Sequence, residues 1–355
     1  VFNGLASGVV VCDEGKGTFE ALRVFENAGP GVEVCTGGDP DVSGCQIRDG
    51  KAQGVLVHTG GCGSFRKNTL AKQILSAMEI CTGGNPVFEE NDIFEQKLHG
   101  VFCHTDGRGT LLKNEIYRNY GSGVEMQTRC TTVVQSNYIH HGHGSGVSCQ
   151  DDAGGSVEDN NIEKCYGANI YVRCSNDVRC TGNTVSKGDL EGVHVCEGSL
   201  AMISNNNVNG NRLAGVLVDT DADPVLEGNI IRDGLSVGLQ VVNAGKGRVS
   251  KNDIFGNAAP GVEVATLGNP VLEGNTIRNG LAEGVFVHDD AAGRFVANVI
   301  SGNDLAGVKV ELATTSVFEE NDVCDGREQG ILALNGGVAQ FKGNDVHGNR
   351  GANVE

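Results

Sequence analysis

Glycine returns every 23 residues along the whole of this sequence. In steps of 23 from Gly8, thirteen of the sixteen positions are glycine, and no insertion or deletion interrupts the series. The three exceptions are Ala77, Asn169 and Asn353. A register this strict predicts a solenoid, in which every repeat forms one coil that packs on its neighbours. It also accounts for much of the glycine content, which at 54 residues is well above that of an average chain.

A column of asparagines repeats with the same period. Its thirteen members are Asn68, Asn91, Asn114, Asn137, Asn160, Asn183, Asn206, Asn229, Asn252, Asn275, Asn298, Asn321 and Asn344. The position two residues later is aliphatic in every coil, from Val24 to Val346. We predict that the asparagines form a structural ladder, in which each amide hydrogen-bonds its copies in neighbouring coils and carbonyl groups of the turn.

Each repeat contains short runs in which apolar and polar residues alternate, as in Gly54 to Val57, and such runs predict β-strands. No stretch of ten residues has a helical period, and a 23-residue coil fits neither leucine-rich nor hexapeptide repeats. We therefore predict an all-β fold, a single-stranded right-handed parallel β-helix (solenoid) with about fifteen coils of 23 residues. We expect one continuous domain over residues 1–355, uncapped at both ends and part of a longer protein.

The chain is strongly acidic, with 27 lysines and arginines against 45 aspartates and glutamates, or a net charge of −18. It repels polyphosphates, so we expect no nucleic-acid partner. Anionic uronate polymers are disfavoured too, unless bound cations or a local basic patch reverse the field. No apolar run approaches the roughly 20 residues that a membrane-spanning helix needs, so we expect no membrane partner.

The thirteen cysteines include no Cys-x-x-Cys pair, and their odd number leaves at least one thiol unpaired within the chain. Some of them, such as Cys103 and Cys149, fall in the inward column and act there as small apolar residues. We predict free thiols and a reducing, intracellular location, either cytoplasmic or nuclear.

Two turn designs alternate along the chain, which makes the full unit a pair of coils of 46 residues. Segments 84–93 and 268–277 contain Gly-Asn-Pro, whereas segment 107–116 contains Gly-Arg-Gly. These segments resemble the carbohydrate-binding and sugar-hydrolase (CASH) repeats of the pectin-lyase-like superfamily. Within it, they are most similar to the substrate-binding β-helix of the F-box-only ubiquitin-ligase receptor family. The resemblance covers essentially the whole chain and implies a right-handed parallel β-helix that recognises protein substrates.

The outward positions of the Gly-Val-x-Val strands form two columns on the predicted surface. We expect these columns to be exposed and to bind a partner, because apolar and imidazole side chains lie there beside carboxylates. The candidate binding residues are Glu33, Leu56, His58, Glu79, Phe102, His104, Glu125, Phe286 and His288. The alternative is that exposed strand positions accept any residue with strand propensity.

His140, His141 and His143 form the only dense histidine cluster. The cluster falls at a turn without dedicated carboxylates, so we predict an exposed turn, no metal site and no cofactor. The paired aspartates at 151–152 and 289–290 offer carboxylates, but the unbroken register leaves no inserted loops to build a cleft. The Asp-Pro-His-Asp signature of alginate epimerases is absent as well. We therefore predict no catalytic residues and a binding protein rather than an enzyme.

Two functional hypotheses follow. The first is a non-catalytic scaffold for a protein or peptide partner, the substrate-recognition or assembly-forming β-helix of a larger protein, similar to the F-box receptors. The alternative is a carbohydrate-binding or polysaccharide-modifying β-helix of the lyase, epimerase or glycosidase type. Saturable oligosaccharide binding would favour the alternative.

Overall fold

The computed structural model describes residues 1–174, 177–312 and 315–354. Within these ranges the chain forms forty-five short β-strands and no helix. The strands follow one another in threes, and each strand of a triplet joins a different parallel sheet. The predicted all-β fold, a parallel β-helix of about fifteen 23-residue coils, is therefore confirmed. No helix in the described part of the chain is long and apolar enough to cross a membrane.

By its internal contacts the chain divides into two compact units, Val1–Arg179 and Cys180–Glu355. Each unit has three sheets, which we number in the order in which one coil runs through them. The boundary falls within one strand, β23 (Val178–Thr181). The prediction of a single continuous domain over residues 1–355 stays a prediction.

The strands of the first unit are short, and their bounds repeat from coil to coil. Sheet 1 contains β1 (Val9–Val11), β4 (Val32–Val34), β7 (Val55–Val57), β10 (Met78–Ile80), β13 (Val101–Cys103), β16 (Val124–Met126), β19 (Val147–Asp151) and β22 (Ile170–Cys174). Sheet 2 contains β2 (Lys16–Glu20), β5 (Asp39–Ser43), β8 (Ser64–Arg66), β11 (Val87–Glu89), β14 (Arg108–Leu112), β17 (Thr131–Gln135) and β20 (Gly154–Glu158). Sheet 3 contains β3 (Arg23–Phe25), β6 (Gln46–Arg48), β9 (Thr69–Ala71), β12 (Asp92–Phe94), β15 (Glu115–Tyr117), β18 (Tyr138–His140) and β21 (Asn161–Glu163).

The second unit repeats this arrangement. Its sheet 1 contains β25 (Val193–Val195), β28 (Val216–Val218), β31 (Leu239–Val241), β34 (Val262–Val264), β37 (Val285–Val287), β40 (Val308–Glu311) and β43 (Ile331–Leu334). Its sheet 2 contains β26 (Met202–Ser204), β29 (Val225–Glu227), β32 (Arg248–Ser250), β35 (Val271–Glu273), β38 (Arg294–Val296), β41 (Ser316–Glu319) and β44 (Ala339–Lys342). Its sheet 3 contains β24 (Thr184–Ser186), β27 (Asn207–Asn209), β30 (Ile230–Arg232), β33 (Asp253–Phe255), β36 (Thr276–Arg278), β39 (Val299–Ser301), β42 (Asp322–Cys324) and β45 (Asp345–His347).

In the strand pairs that the structure describes, pairing follows the sequence period. Val55 pairs with Val32 on one side and with Met78 on the other, so partners are 23 residues apart in the chain. Since side chains alternate across a strand, this register sends each aliphatic column into the interior of the coil. Aromatic side chains stack within this interior, where Phe65 and Phe88 are fully buried with ring centroids 4.8 Å apart.

The asparagine column lies inside the coil at the entry to sheet 3. The amide Nδ2 of Asn91 donates to Asn114 Oδ1 at 2.9 Å and to the carbonyl oxygen of Phe65 at 3.0 Å. The backbone N–H of Asn91 donates to the same Asn114 Oδ1 at 3.0 Å. The column begins at Asn68, whose Oδ1 accepts the backbone N–H of Cys45 at 2.9 Å. Each side chain thus satisfies backbone groups of a buried turn that no strand ladder reaches.

Close packing between coils favours glycine at most positions of the glycine column, and Ala77 and Asn169 are buried exceptions. A Cβ added at Gly31 would lie 2.6 Å from both the carbonyl oxygen of Gly54 and Cγ2 of Ile47. The backbone of Gly31 does not have a positive φ, so lack of space and not backbone conformation selects glycine there. The same column therefore explains how neighbouring coils approach closely enough to pair.

Candidate functional site

The outer surface of sheet 1 in the first unit carries a regular polar face. In register on adjacent coils, Glu33 pairs with Leu56, Leu56 with Glu79, and Glu79 with Phe102, which pairs with Glu125. Carboxylates therefore alternate with apolar side chains from coil to coil. A second column of histidine, cysteine and glutamine side chains flanks this one, two positions later in the chain and, in most coils, directly after the strand. We call the whole surface the Glu-His face; its members are Glu33, Cys35, Leu56, His58, Glu79, Cys81, Phe102, His104, Glu125, Gln127 and Gln150.

Two histidines of this face bridge to the carboxylate of the preceding coil. His58 Nε2 lies 3.2 Å from Glu33 Oε1, and His104 Nε2 lies 3.3 Å from Glu79 Oε1. All four side chains are only part-exposed, between 16% and 27%. The structure therefore joins four sequence-predicted binding residues into two equivalent pairs, 46 residues apart.

The carboxylates of both pairs accept further hydrogen bonds. Ser7 Oγ donates to Glu33 Oε2 at 2.5 Å, and Gln53 Nε2 donates to Glu79 Oε2 at 2.8 Å. Burial acts to raise the pKa of Glu79, but the hydrogen bonds from His104 and Gln53 hold that pKa below its ordinary value. Glu79 therefore stays ionised at neutral pH. Its acceptor oxygens are not saturated, because a carboxylate offers about four lone-pair positions.

Phe102 lies between the carboxylates and is half-buried, not fully exposed as expected from the sequence. Its ring centroid lies 4.4 Å from that of His104 and 5.4 Å from that of His99. Leu56, at the equivalent position two coils earlier, is half-buried as well. These two residues supply the apolar steps of the Glu-His face.

Glu125 is buried, with 2% exposure, whereas the sequence pattern predicted an exposed side chain. Neutral donors close over its carboxylate, with Ser122 Oγ at 2.8 Å, Gln127 Nε2 at 3.0 Å and Gln150 Nε2 at 2.8 Å. Burial lowers the pKa of His99, although the charge of Glu125 opposes this, and the His99 Nδ1 accepts the backbone N–H of Ser122. Glu125 is thus an internal anchor of the face, and its predicted role in binding stays untested.

In the second unit, sheet 1 repeats part of this arrangement. His288 Nε2 lies 3.2 Å from Glu263 Oε1, and its Nδ1 lies 3.0 Å from Asp289 Oδ2. The half-buried ring of Phe286 stacks on His288 at 4.2 Å, with Lys309 Nζ 4.3 Å above the same ring. The predicted residues Phe286 and His288 are therefore brought together, but a cation occupies one aromatic face there.

In the histidine cluster at 140–143 two imidazoles meet, with His140 Nδ1 2.7 Å from His141 Nδ1, while the third packs against tyrosines. His140 Nε2 lies 3.2 Å from Glu115 Oε1, and its ring stacks on Tyr138 at 4.1 Å. His143 turns away and stacks on Tyr120 at 4.8 Å. His141 and His143 are exposed, and His140 is half-buried at the end of β18. These contacts describe an aromatic and imidazole surface, in which ring faces are already covered by one another.

Two cysteines that the sequence interpretation left aside belong to the Glu-His face. Cys35 joins Glu33 and His58, and Cys81 joins Glu79 and His104; within each group the ligand atoms lie within 4.8 Å of one another. The sequence contained a signal, since Glu-x-Cys is followed by His after 23 further residues in both places. The same spacing occurs as Asp-x-Cys and His in a third group in the second unit, Asp322, Cys324 and His347. Cysteine spacing within a single repeat does not reveal these groups, because their members lie on neighbouring coils.

Comparison with known proteins bears on the fold. A family model described as "Right handed beta helix region" matches residues 1–93, 80–224, 168–323 and 225–355. A mutant of the periplasmic alginate epimerase AlgG is similar in structure, with a TM-score of 0.53, 12% identity, and coverage of 88% of this chain and 78% of the epimerase. The A-module of the mannuronan C-5 epimerase AlgE6 of Azotobacter vinelandii has a TM-score of 0.54 and 15% identity, covering 87% of this chain and 90% of that module. No curated protein matches the sequence.

Proposed function

Since the chain belongs to the right-handed β-helix family, we propose that it is a carbohydrate-binding β-helix protein whose Glu-His face holds an extended, uncharged polysaccharide. The polymer runs across successive coils of the first unit. The proposal takes up the second of the two functional hypotheses. The observation that carries it is the two-coil alternation of carboxylates and apolar side chains on this face.

The spacing of the face suits a polymer of sugars. Neighbouring coils are about 4.8 Å apart, so two coils span about 9.6 Å. This length is comparable with that of one disaccharide in an extended β-1,4-linked chain, in which successive sugars are turned over. Equivalent groups of such a polymer therefore meet equivalent residues of the protein, Glu33 and then Glu79, without a change of register.

The chemistry of the face also suits sugars. Hydroxyl groups donate to carboxylates and accept from amide N–H groups, and both kinds of group are present at this surface. Leu56 and Phe102 supply apolar steps for the C–H faces of the sugar rings. Charged residues are depleted at the centre of protein-protein interfaces, so a surface with repeated glutamates suits a glycan better than a protein.

Net charge selects among glycans. The chain carries −18 overall, which repels uronate polymers. We therefore assign an uncharged polysaccharide. The alginate epimerases share the fold at 12% and 15% identity, and their substrate is not transferred to this protein.

The closer likeness to F-box-only receptors, the protein or peptide partner and the intracellular location remain predictions. Each is tested by partner capture or by localisation of the tagged protein. An outcome in which the chain binds a defined protein through Phe102 and no oligosaccharide would restore the first hypothesis.

Isothermal titration with uncharged β-1,4-linked oligosaccharides of increasing length tests the proposal. We expect saturable binding that strengthens up to the length of the face, and no binding of uronate oligosaccharides of the same length. Phe102→Ala should weaken binding at least about tenfold, because about 1.4 kcal/mol of apolar contact is removed.

The matched control is Phe94→Ala. Phe94 is half-buried on an outward position of sheet 3 in the first unit, where it stacks on Tyr117 at 5.1 Å. It removes the same side chain from a different surface and should leave the affinity unchanged. Absence of saturable binding, or equal losses in the two variants, would overturn the proposal.

A further inference from the structure

We propose that the Glu-His face contains two zinc sites, one formed by Glu33, Cys35 and His58 and the other by Glu79, Cys81 and His104. Each site offers one carboxylate, one thiolate and one imidazole from two adjacent coils. The inference goes beyond carbohydrate binding; because zinc and a glycan would share Glu33 and Glu79, the metal is measured without any glycan.

The donor set and its geometry suit Zn²⁺. Zinc takes Cys sulfur, His nitrogen and carboxylate oxygen at about 2.0–2.3 Å, with tetrahedral preference. In each group the three candidate ligand atoms already lie within 4.8 Å of one another. Three atoms bound to one tetrahedral ion are about 3.5 Å apart. Small side-chain shifts on a rigid sheet therefore complete the coordination.

The histidines are held in the orientation that a metal ligand requires. His58 Nδ1 lies 2.9 Å from Thr59 Oγ1, and His104 Nδ1 lies 2.8 Å from Thr105 Oγ1. This second contact leaves the Nε2 atom of each ring directed at the carboxylate of its group. Metal-bound histidines characteristically have such an outer partner on the other ring nitrogen, which fixes the tautomer and the ring orientation.

The charge of each group matches a divalent cation. Zinc binds a cysteine as its thiolate, so binding releases the thiol proton to solvent, and the thiolate and carboxylate of each group together carry two negative charges that balance the ion.

Equivalent positions in other coils of this chain lack part of the donor set. At the next coil pair Gln127 and Gln150 replace the cysteine and the histidine, and their amides donate hydrogen bonds to Glu125. In the second unit Glu263 and His288 keep their contact, but Ala265 stands in place of cysteine. The complete set of three donors is thus a local feature of residues 33–104 and not a consequence of the repeat.

The sites are also accessible. Glu33 and His58 are 27% and 26% exposed, and Glu79 and His104 are 16% and 24% exposed. An ion bound there keeps its fourth position towards solvent, where water or another oxygen ligand binds. Zinc sites with three protein ligands and one open position are of this kind.

Titration of the chelator-treated, reduced protein with Co²⁺ and then Zn²⁺ tests the proposal. We expect a thiolate-to-cobalt charge-transfer absorption that Zn²⁺ abolishes. Elemental analysis should find two more equivalents of Zn²⁺ in the wild-type protein than in the double variant Cys35→Ser/Cys81→Ser, and one fewer in each single variant. The group of Asp322, Cys324 and His347 is present in every protein, so it cancels in this difference.

Two further variants control for folding and for unspecific thiol binding. Cys62→Ser removes another half-buried thiol of the first unit and should leave the metal content unchanged. His58→Ala/His104→Ala keeps all thiols and should lose the same two equivalents, with an unaltered circular dichroism spectrum. Equal zinc content in the wild type and the folded double-cysteine variant, or full retention in the double-histidine variant, would overturn the proposal.

Discussion

The imidazole of His104 lies 3.3 Å from the carboxylate of Glu79 on the preceding coil, and this pair reproduces the contact between His58 and Glu33. The contact is possible because residues 25 positions apart come together when each coil takes 23 residues. Glu79 lies in strand β10, and His104 directly follows strand β13, which pairs with β10 in parallel. A repeated sequence thus yields a repeated polar contact on the outer face of a sheet.

Removal of His104 should raise the pKa of Glu79. Burial already acts in that direction, and the hydrogen bonds from His104 and Gln53 counteract it. Because the depressed pKa contributes stability above the unfolded value and loses it as pH falls through the folded value, His104→Ala should also reduce stability at neutral pH. Carbon NMR titration of the glutamate carboxyls measures the shift. His288→Ala, in the second unit, is the control and should leave Glu79 unchanged.

Loss of an interior ladder side chain should destabilise the second unit. Asn206 Nδ2 donates to Cys180 O at 2.9 Å and to Asn229 Oδ1 at 3.0 Å, and its Oδ1 accepts from Asn183. Asn206→Ala leaves these buried groups unpaired and should cost about 1–3 kcal/mol in urea unfolding. Asn209→Ala removes the same side chain from a half-buried outward position and should have little effect. Equal unfolding of the two variants would contradict a stabilising ladder.

Replacement of a column glycine should be harmful for lack of space. A Cβ at Gly31 would lie 2.6 Å from Gly54 O, so Gly31→Ala should lower stability by about 1–3 kcal/mol. At Gly142 the nearest atoms to an added Cβ are 3.9 Å away and φ is not positive. Gly142→Ala should therefore be neutral or stabilising by up to about 1 kcal/mol. Thermal unfolding of both variants measures the difference, and a tolerant Gly31 would refute the packing explanation.

Two tyrosines should ionise late in the folded protein. Burial, together with Asp92, raises the pKa of Tyr117 to about 12, and burial together with Glu163 raises that of Tyr138 to about 12. In the unfolded chain both phenols titrate near about 10, so their contribution to stability is present below that pH and is lost as pH rises towards 12. Phenolate absorbance of the native and denatured protein as a function of pH measures these pKa values. The double variant Tyr117→Phe/Tyr138→Phe should lack the part of the native titration that occurs near pH 12. Identical native and denatured titrations would disagree with these contacts.

If three donors suffice for zinc, a further site can be made in the second unit. Ala265→Cys adds a thiol beside Glu263 and His288, which are already 3.2 Å apart, and should increase the zinc content by one equivalent. Gln127→Cys adds a thiol beside Glu125, whose histidine neighbour His99 already accepts the backbone N–H of Ser122 through Nδ1, and should add none under the same conditions. Elemental analysis after dialysis distinguishes the variants, and an equal gain in both would show that thiols alone hold the metal.

The repeat made the fold predictable because every coil places the same residue types in the same surroundings. Alternation assigned the inward positions of β7 and β13, and the gapless period implied the parallel register. The exposure of Glu125 was not predictable in this way. Its burial depends on Ser122, Gln127 and Gln150, whose side chains close over it from the same strand region and the next coil.

In the two proposed zinc sites, the repeat determines the column in which each residue lies, and the folded chain determines the orientation of its side chain. The one-dimensional sequence places Cys35 and His58 in one column, and the strand pairing follows from the period alone. Only the folded chain decides that the imidazole turns towards Glu33, because that choice depends on the rotamer that Thr59 stabilises. The repeat thus determines the backbone register, because the same steric and hydrogen-bonding demands recur in each coil. The chemistry of the outer face arises from side-chain contacts between coils, which no single repeat contains.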